Sequence, residues 1–589
     1  MTRRDALRLP LAAVLGQIYG QNPPKYGIAS RNLRSTAPGT PSDRPYGARF
    51  VNVAAEAGLH RPPIHGGPDH ADYVVESLGC GVAFLDYDND GWLDILLPNV
   101  SRFGAKTPNP TIQLYQNDRH GGFTDVTERS GLGRSVWATG VTVADYDNDG
   151  FDDIFITCWG QNLLFHNNGD GTFSDVTKRA GLLRSGTHLA TGCTWLDYDR
   201  NGNLDLFVSH YAVFDPAKTP IRGKDPACNY NGIPVFCGPA GLPQESSRLY
   251  RNNGNGTFTD VSEASGIASV QPGYSLTAVA ADFDGDGWPD IYVACDTSPS
   301  LYFHNNQNGT FTEQGLERGV SLSDDGKVQA GMGIGIGDYD ANGGLDIFKT
   351  HFRGDTNVLY RNDGKGNFRD DTLRAGLGVE TRYVGWGAAI ADFDNDGWPD
   401  LFYCTGMVYP EVEAKIPDAP YKTSNVLFRN LGDGRFEELT SGLGSGMNEK
   451  HSSRGAAFGD FDNDGDIDIV IVNMNGSPSL LRNDIVGTGN VGTGNWLKVL
   501  LTGINSNRSA IGASVLATFG SRRQRQAVTA QGSYLSVNDR RLHFGLGTAN
   551  TADLEIRWPN GSVERVDKLD SGYLHMIHEG AGVTKKTRF

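Results

Sequence analysis

Long apolar runs are missing from this chain of 589 residues. No stretch approaches the roughly 18 consecutive apolar residues that a membrane-spanning helix needs. Positive charge is also scarce, because 52 lysines and arginines face 69 aspartates and glutamates, which gives a formal net charge of -17. An acidic surface repels nucleic acid and anionic membranes. We therefore expect no nucleic-acid partner and no transmembrane segment.

Cysteine is sparse as well, and its seven copies leave at least one thiol unpaired in any compartment. Cys228 and Cys237 share an insertion, residues 211–244, whose proline and glycine content leaves it little core of its own. We predict a disulfide between them. Three other cysteines each lie on the apolar strand that follows an acidic loop, and we expect their thiols to be buried and to pack as small hydrophobic groups. They are Cys158, Cys295 and Cys404.

Known catalytic spacings are absent too. The sequence offers no clear Ser/His/Asp arrangement, no HExxH motif and no paired-glutamate spacing. The glycine run at 331–337 precedes an acidic hairpin loop and does not open a helix, so it is not a nucleotide-binding loop. An enzymatic function therefore has no motif of its own in this chain.

What the chain does contain is one nine-residue acidic loop, written seven times. Oxygen-bearing side chains stand at positions one, three, five and nine, and glycine at position six permits a tight turn. This arrangement suits a hard cation that needs six or more oxygen ligands, and we predict up to seven calcium ions. Loops 1 to 7 are residues 86–94, 145–153, 197–205, 282–290, 338–346, 392–400 and 460–468.

The predicted metal ligands are the residues at positions one, three, five, seven and nine of each loop. Loops 3 and 5 carry Asn201 and Asn342 at position five and should bind more weakly, because affinity follows ligand charge. We expect calcium to be a structural staple of the hairpins. The alternative is that one underfilled loop, at Asp197 or Asp338, takes an oxygen of the ligand directly. The full set is Asp86, Asp88, Asp90, Trp92, Asp94, Asp145, Asp147, Asp149, Phe151, Asp153, Asp197, Asp199, Asn201, Asn203, Asp205, Asp282, Asp284, Asp286, Trp288, Asp290, Asp338, Asp340, Asn342, Gly344, Asp346, Asp392, Asp394, Asp396, Trp398, Asp400, Asp460, Asp462, Asp464, Asp466 and Asp468.

These loops account for much of the acidic excess. Ligand aspartates at positions one, three, five and nine number 26 of the 69 acidic residues, and seven divalent ions would bring the net charge to about -3. Without metal the carboxylates repel one another. Folding and calcium binding are therefore expected to be coupled.

An EF-hand calcium loop begins with the same pattern of residues. The two kinds of loop differ at the twelfth position, where an EF-hand requires a bidentate glutamate. None of the twelfth residues here is acidic, and short apolar stretches follow that predict buried strands. Each loop is thus the predicted bend of a β-hairpin. The twelfth residues are Leu97, Ile156, Val208, Val293, Lys349, Tyr403 and Ile471.

A second signature follows each loop, for example LYRNNGNGTFTDVSEASGI from Leu249, and predicts a second hairpin. Four strands per repeat, at a loop spacing of 52 to 85 residues, are typical of propeller blades. Seven loops predict seven blades. Residues 50–59 match the second half of this hairpin and residues 480–483 its first half, so the N-terminal strand should complete the last blade.

The predicted fold class is therefore all-β, a seven-bladed propeller over residues 46–485. Residues 486–494 are a predicted linker, 495–580 alternate as in a small β-sandwich-like domain, and 581–589 form a tail. Residues 1–20 pair Arg3 with Arg4 ahead of a weakly apolar stretch, which favours a twin-arginine export signal and a secreted or periplasmic protein. A frayed basic N-terminus is the alternative. Residues 21–45 are a predicted linker.

The loops and the LYRN and GTFTDVT segments resemble the FG-GAP repeats, also called VCBS repeats, of integrin α-subunit propellers. Residues 505–513, 532–536, 543–547 and 557–561 resemble the ASPIC and UnbV C-terminal domain. Together, residues 48–580 are similar to the bacterial branch of the cartilage acidic protein family. The resemblance implies a secreted propeller of adhesive or ligand-binding type. It also implies that calcium is mainly structural and is bound by the loops between the first two strands of each blade, all on one face of the propeller.

Segments that enter each first strand should open on the opposite face, where the insertions at 211–244 and 407–424 also lie. Their aromatic and polar side chains would suit a sugar or another polar organic ligand. The alternative is that they only plug the channel. These candidate ligand-binding residues are Glu76, Trp137, His188, Tyr274, Arg382, Tyr383 and His451.

Two functions remain open. The first is a non-catalytic extracellular binding or adhesion module whose partner is a glycan, a protein or a small organic ligand. The second is a calcium-dependent enzyme that acts on an exported polysaccharide or small organic molecule, with His188 and His451 as candidate general bases. A basic cluster at 522–525 could meet an anionic glycan, but we interpret it as a solvated turn.

Overall fold

The computed structural model describes residues 36, 41–42, 44–100, 103, 112–485 and 494–588. The predicted export signal lies outside the described residues, as do most of the linker at 21–45 and nearly all of the linker at 486–494. In the described part of the chain no helix is long and apolar enough to cross a membrane.

Strands dominate the repeat region. They are β1 (Phe50–Asn52), β2 (Ala83–Leu85), β3 (Asp94–Leu97), β4 (Gln113–Asn117), β5 (Phe123–Asp125), β6 (Ala138–Ala144), β7 (Asp153–Cys158), β8 (Leu163–Asn167), β9 (Phe173–Asp175), β10 (His188–Leu196), β11 (Asp205–Val213), β12 (Asn229–Tyr230), β13 (Ile233–Pro234), β14 (Arg248–Asn252), β15 (Phe258–Asp260), β16 (Tyr274–Ala281), β17 (Asp290–Asp296), β18 (Leu301–Asn305), β19 (Phe311–Glu313), β20 (Ile334–Gly337), β21 (Asp346–Lys349), β22 (Val358–Asn362), β23 (Phe368–Asp370), β24 (Gly385–Ala391), β25 (Asp400–Thr405), β26 (Val426–Asn430), β27 (Phe436–Glu438), β28 (Ser453–Gly459), β29 (Asp468–Asn473) and β30 (Ser479–Asn483).

Helical elements are short. They are α1 (Thr127–Ser130), α2 (Gly315–Arg318) and single 3-10 turns at Val74–Glu76, Ile267–Ser269, Leu377–Val379, Pro410–Val412 and Gly446–Asn448.

Seven antiparallel sheets of four strands are formed by these elements, numbered sheets 1 to 7 after their loops. They are β2–β5, β6–β9, the set β10, β11, β14 and β15, then β16–β19, β20–β23, β24–β27, and β28–β30 with β1. The predicted all-β propeller architecture is confirmed. In each sheet the predicted loop connects the first strand to the second, as in Ala83–Leu85 with Asp94–Leu97.

The two ends of the repeat array meet in sheet 7. Strand β1 pairs antiparallel with β30, with Phe50 opposite Asn483 and Asn52 opposite Leu481. First strands also contact one another in the cyclic order β2, β6, β10, β16, β20, β24, β28 and back to β2. The pairing of a strand from the start of the array with its last repeat covers the edge of β30 and gives sheet 7 four strands like the other six sheets.

The asparagine that ends each third strand links neighbouring sheets. Asn167 Nδ2 donates to the carbonyl of Tyr87 in loop 1 at 2.8 Å. The same bond, from one sheet to the second residue of the preceding loop, recurs in all seven sheets and returns from Asn117 to Phe461 at 2.9 Å. A buried carbonyl needs such a partner, which explains the invariant position of asparagine in the repeat.

Apolar side chains fill the spaces between adjacent sheets. Leu85 and Leu96 of sheet 1 pack with Val143 and Ile154 of sheet 2, and all four are buried. Second strands read as continuous apolar runs because both of their faces are covered. Fourth strands bury their first aromatic residue and leave the next two exposed or half-buried.

Eight further strands build the C-terminal domain, residues 495–588. They are β31 (Asn495–Thr502), β32 (Ser514–Phe519), β33 (Arg522–Ala527), β34 (Leu542–Gly547), β35 (Thr551–Arg557), β36 (Val563–Asp570), β37 (Leu574–His578) and β38 (Gly582–Thr587). They form two four-stranded sheets, β34-β31-β37-β38 and β33-β32-β35-β36. Leu497 and Val499 pack with Val515 and Ile556 in one core between these sheets, as the predicted sandwich requires.

Two local features concern the predictions about cysteine and charge. The insertion holds the short hairpin β12–β13, and Cys228 is bonded to Cys237 beside it. The basic cluster at 522–525 is not a solvated turn, because it is part of β33 and pairs with β32. Its side chains contact the acidic loops, as described below.

Candidate metal loops and the opposite face

Each acidic loop is held by its own backbone amides. In loop 1 the carboxylate of Asp86 accepts the amides of Asp90 and Gly91, both at 2.9 Å. Asp94 accepts the amide of Tyr87 at 3.2 Å and that of Asn117 at 2.8 Å. Loop 7 repeats the pattern through Asp460 and Asp468. Positions one and nine are thus oriented before any cation arrives.

The fourth residue of the loop takes a left-handed backbone conformation that favours asparagine. Asn89 has φ +57° and Asn148 has φ +61°. Their side chains then reach the next loop: Asn89 donates to the carbonyl of Gly150 at 2.8 Å, and Asn148 to that of Gly202 at 3.1 Å. Asn463 of loop 7 donates to Gly91 of loop 1 at 3.2 Å. The loops therefore support one another on one face.

Carboxylates within a loop lie close together. Oxygens of Asp86, Asp88 and Asp90 lie within 4.8 Å of one another, as do those of Asp197, Asp199 and Asp205. Burial, and then neighbouring carboxylates, raise the pKa of Asp282 to about 6. Burial raises the pKa of Asp338 to about 7 and that of Asp468 well above its usual range. Such carboxylates repel one another unless a cation joins them.

Four loops contain a buried carboxylate oxygen with no hydrogen-bond partner among the described residues. In every case it belongs to position three, and the atoms are Oδ1 of Asp88, Asp199, Asp340 and Asp462. A buried acceptor without a partner is costly. The donor set of hard oxygens and these unpaired atoms both fit a hard divalent cation.

The third strand adds one side chain to each of several loops, just before its asparagine. In loop 1 Gln116 donates to Asp88 at 2.7 Å. Arg251 approaches Asp199 at 3.2 Å in loop 3, and Arg361 pairs with Asp340 in loop 5. Loops 3 and 5 are the two loops with asparagine at position five. In both, the arginine neutralises part of the negative charge of a cluster that already has one carboxylate fewer than the other loops.

The C-terminal domain covers this loop face with basic groups. Arg522 donates to the carbonyl of Asp396 at 2.7 Å, and the guanidinium of Arg525 to that of Gly343 at 2.7 Å. Arg541 donates to the carbonyl of Asp460 at 2.7 Å. The ammonium group of Lys498 contacts the carboxylate of Asp460 in the same buried region. The basic residues of the C-terminal domain thus find their hydrogen-bond and ion-pair partners in the acidic loops.

A segment of the C-terminal domain, residues 531–538, fills the channel between the sheets. Gln531 bonds to Val141 and Cys193, and the amide of Ile334 donates to the carbonyl of Ser533. Further bonds and bridges from this segment reach Ala83, Ala278, Ala388 and Phe458. The segment therefore contacts the first strand of all seven sheets. We call it the plug.

At the opposite face, the channel ends in a small cavity of about 50 Å³. Side chains from several sheets and from both insertions line it, including Phe236, Phe352, Trp386 and Tyr409. Its polar groups include the Asp296 carboxylate, which accepts the Tyr211 hydroxyl at 2.8 Å. Burial raises the pKa of Asp296 to about 6.

Thr297, also on the cavity wall, has a strained backbone. Its φ is +48°, a left-handed value that is rare for a β-branched residue. Its buried hydroxyl has no hydrogen-bond partner among the described residues. Conformations of this kind cluster at binding sites. No sequence pattern pointed to Asp296 or Thr297, although Asp296 ends the second strand β17 and Thr297 follows it, at the face that we expected to bind ligand.

The seven candidate ligand-binding residues lie at this end of the sheets but do not line the cavity. Glu76 is buried and accepts the amides of Asp72 and Tyr73 at 2.7 and 3.1 Å. Trp137 packs against Trp159 and Phe103. The Tyr274 hydroxyl bonds to Leu242 and Gly241 of the insertion. These three side chains support the rim.

The other four make polar or ring contacts with neighbouring side chains. Arg382 pairs with Glu380 and with Glu438 of the fourth strand, and its guanidinium lies 5.0 Å from the Tyr383 ring. His451 lies 3.3 Å from Glu449. His188 Nδ1 lies 2.8 Å from Glu245, which also pairs with Arg184. Of the seven candidate residues, Arg382 and its chain neighbour Tyr383 contact each other. The contacts given above place no other two candidates together.

The architecture defines a class of protein, a repeat propeller with a C-terminal β domain. Comparison of the sequence with known families agrees with this class. The FG-GAP-like repeat family matches residues 86–156, 145–208, 235–293, 282–349, 338–403 and 419–471. The ASPIC and UnbV family matches residues 503–584. The chain belongs to the FG-GAP-like repeat family and carries an ASPIC and UnbV domain.

Among curated relatives, cartilage acidic protein 1 of Mus musculus is 25% identical over 517 residues, covering 84% of this chain and 72% of that protein. Its counterpart from Xenopus tropicalis is 26% identical over 556 residues, covering 88% and 77%. Solved structures with a similar arrangement include an Agrocybe aegerita lectin (19% identity, 62% of this chain, 82% of that chain, TM-score 0.36) and Trypanosoma rangeli sialidase (11%, 75%, 59%, TM-score 0.35).

Proposed function

We propose that this protein is a secreted or periplasmic calcium-binding propeller that binds an extracellular ligand on the face opposite its acidic loops. The ligand is a glycan, a protein or a small organic molecule. Residues 46–485 form the binding scaffold and residues 495–580 its cover. Calcium is mainly structural and joins the two hairpin strands of each sheet at the loop.

One observation carries the choice of face. The C-terminal domain lies over the acidic loops and its plug fills the channel from that side, so a ligand has access only from the other side. There the disulfide-bonded insertion and the 407–424 segment surround the cavity with Asp296 and Thr297. Long loops on a rigid scaffold are typical binding elements.

The size and chemistry of the cavity limit what enters it. About 50 Å³ is far smaller than the roughly 300 Å³ or more of a pocket that encloses a whole ligand. We infer that one substituent of a larger ligand enters, with its apolar part against Trp386 and Phe352. A hydroxyl or amine on that substituent would donate to Asp296.

The calcium part of this proposal is tested by melting the full chain in millimolar calcium and in excess EGTA. We expect a large fall in Tm with EGTA, because the loop carboxylates then repel one another. An unchanged melting curve would exclude structural calcium.

The ligand part is tested by screening glycans and small polar molecules for binding to the calcium-loaded protein, with Asp296→Asn as the site variant. Asp170→Asn, on an exposed turn between β8 and β9, is the matched control. We expect at least tenfold weaker binding for the first variant only, since a buried hydrogen bond to a charged group is lost. Equal binding by both variants would place the ligand elsewhere.

The enzymatic alternative has one observation in its favour. Burial brings the pKa of Asp296 to about 6, near the range of a general acid or base that works at neutral pH. The same screen, read by mass spectrometry, separates the two functions. A compound that is retained unchanged supports binding, whereas new masses that grow in proportion to the protein and vanish in Asp296→Asn support catalysis.

A further inference from the structure

Loops 2 and 4 differ from the other acidic loops because an imidazole from the third strand reaches their carboxylates. His166 Nδ1 lies 3.1 Å from Asp153 Oδ1 and 3.4 Å from Asp147 Oδ2. In loop 4, His304 Nδ1 lies 3.1 Å from Asp290 Oδ1 and 3.4 Å from Asp284 Oδ2. The two loops thus place the same three groups at the same distances.

These distances fit one shared ion. The ligand atoms of Asp147, Asp153 and His166 lie within 4.8 Å of one another, and the same holds for Asp284, Asp290 and His304. In a tetrahedral zinc site, ligand atoms that each lie about 2.1 Å from the ion are about 3.4 Å from one another. The observed 3.1 and 3.4 Å separations are close to that value.

The nitrogen ligand decides the class of ion. Calcium is a hard cation that takes oxygen ligands, whereas neutral imidazole suits zinc, nickel, copper and iron. We propose that loops 2 and 4 bind a first-row transition-metal ion such as Zn²⁺ through Asp147, Asp153 and His166, and through Asp284, Asp290 and His304. This rests on the proposal that the acidic loops bind cations, but not on calcium being the ion at these two.

The surroundings make the two sites unequal. In loop 4, Arg318 approaches Asp284 Oδ2 at 3.3 Å, and the Tyr302 hydroxyl donates to Asp290 Oδ2 at 2.6 Å. An ion in loop 4 must compete with that guanidinium. In loop 2, His166 also lies 3.9 Å from Asp149. The two imidazoles are about equally exposed, 21% for His166 and 19% for His304, so an ion can reach either from solvent and the guanidinium makes the difference. We therefore expect loop 2 to bind more tightly.

Loop 1 supplies a natural control. Gln116 stands in β4 where His166 stands in β8, and it donates to Asp88 in the same way that His166 approaches Asp147. Glutamine is therefore compatible with this strand position. His166→Gln and His304→Gln turn loops 2 and 4 into copies of loop 1, and Gln116→His adds the imidazole to loop 1.

The experiment measures Co²⁺ and Zn²⁺ bound to the untagged full chain in saturating calcium, after gel filtration, by elemental mass spectrometry. The absorption bands of Co²⁺ report the geometry of its ligands. We expect two equivalents in the natural sequence, about one in either single variant, none in the double variant and three in Gln116→His. Zinc affinity at a changed loop should fall by about tenfold or more.

Equal stoichiometry in the natural protein and the double variant would overturn the proposal, since the metal would then be bound adventitiously. The absence of retained cobalt or zinc from the natural protein would also overturn it. The proposed calcium role is read separately, because the Tm difference between calcium and EGTA should persist in the double variant. Its persistence without any cobalt binding would leave calcium as the ion in all loops and reject a transition metal.

Discussion

The buried ammonium group of Lys498 contacts the carboxylate of Asp460, so the C-terminal domain places a positive charge on the first ligand position of loop 7. The Lys498 side chain is 1% exposed and that of Asp460 is fully buried. Removing one partner of a buried ion pair leaves the other charge uncompensated. Replacement of the lysine therefore tests whether docking and cation binding are linked.

Lys498→Met should lower the free energy of unfolding in EGTA by about 2–4 kcal/mol. The loss should be smaller in saturating calcium, because the ion then offsets Asp460. Urea titrations under both conditions measure the difference, and Lys585→Met, an exposed lysine of β38, is the control. Equal losses in EGTA and in calcium would contradict the link.

Tyr534 anchors the plug. Its side chain is fully buried, its hydroxyl donates to the carbonyl of Leu78 at 3.0 Å, and its ring meets that of Trp386 edge to face at 5.0 Å. Tyr534→Phe should cost about 1 kcal/mol and Tyr534→Ala about 3–5 kcal/mol in chemical unfolding. If Tyr534→Ala unfolds like the natural protein, the plug does not stabilise the channel.

Asn117 joins the first and last sheets and should affect both. It donates to the carbonyls of Leu93 and Phe461 at 3.0 and 2.9 Å. Asn117→Leu leaves two buried carbonyls without donors, at a cost of about 2–4 kcal/mol. Hydrogen exchange should speed up in β2–β4 and also in β28–β30. The control Asn305→Leu should affect sheets 3 and 4, and faster exchange in sheet 1 alone for Asn117→Leu would contradict the closed cycle of bonds.

Stability should depend on pH through His65. Burial, and then Arg454, lower its pKa to about 3, below the unfolded value near 6.5. Between these values the unfolded state binds more protons, so the free energy of unfolding falls as the pH decreases through the window. The loss between pH 7.5 and 5.0 is about 2 kcal/mol from this residue.

His65→Leu removes that contribution, and urea midpoints at pH 7.5 and 5.0 in saturating calcium measure it. We expect a smaller difference between the two pH values in the variant than in the natural protein. His120→Leu, on an exposed turn, is the control. An equal pH dependence in the natural protein and His65→Leu would show that His65 is not held neutral.

The sequence predicted features that each repeat carries within itself. Asp86 to Asp94 and the apolar residues after it define a hairpin locally, and the half-repeat at Phe50 identifies the partner of β30. The docking of the C-terminal domain was not predicted, because Arg522 and Arg525 have no local partner. Their charges are matched by loops more than 100 residues earlier in the chain. The same applies to Glu76, whose role as a backbone acceptor depends on the fold of the segment before β2.

The plug also sets an order of events. It follows the seven repeats in the chain, and the domain that carries it lies against loops 5, 6 and 7. During synthesis these loops are complete before the last hundred residues emerge, so cations can enter while the face is still open. Once the domain has docked, the exchange of any cation bound at these covered loops would be limited by how often the whole domain lifts away, rather than by the affinity of a single loop.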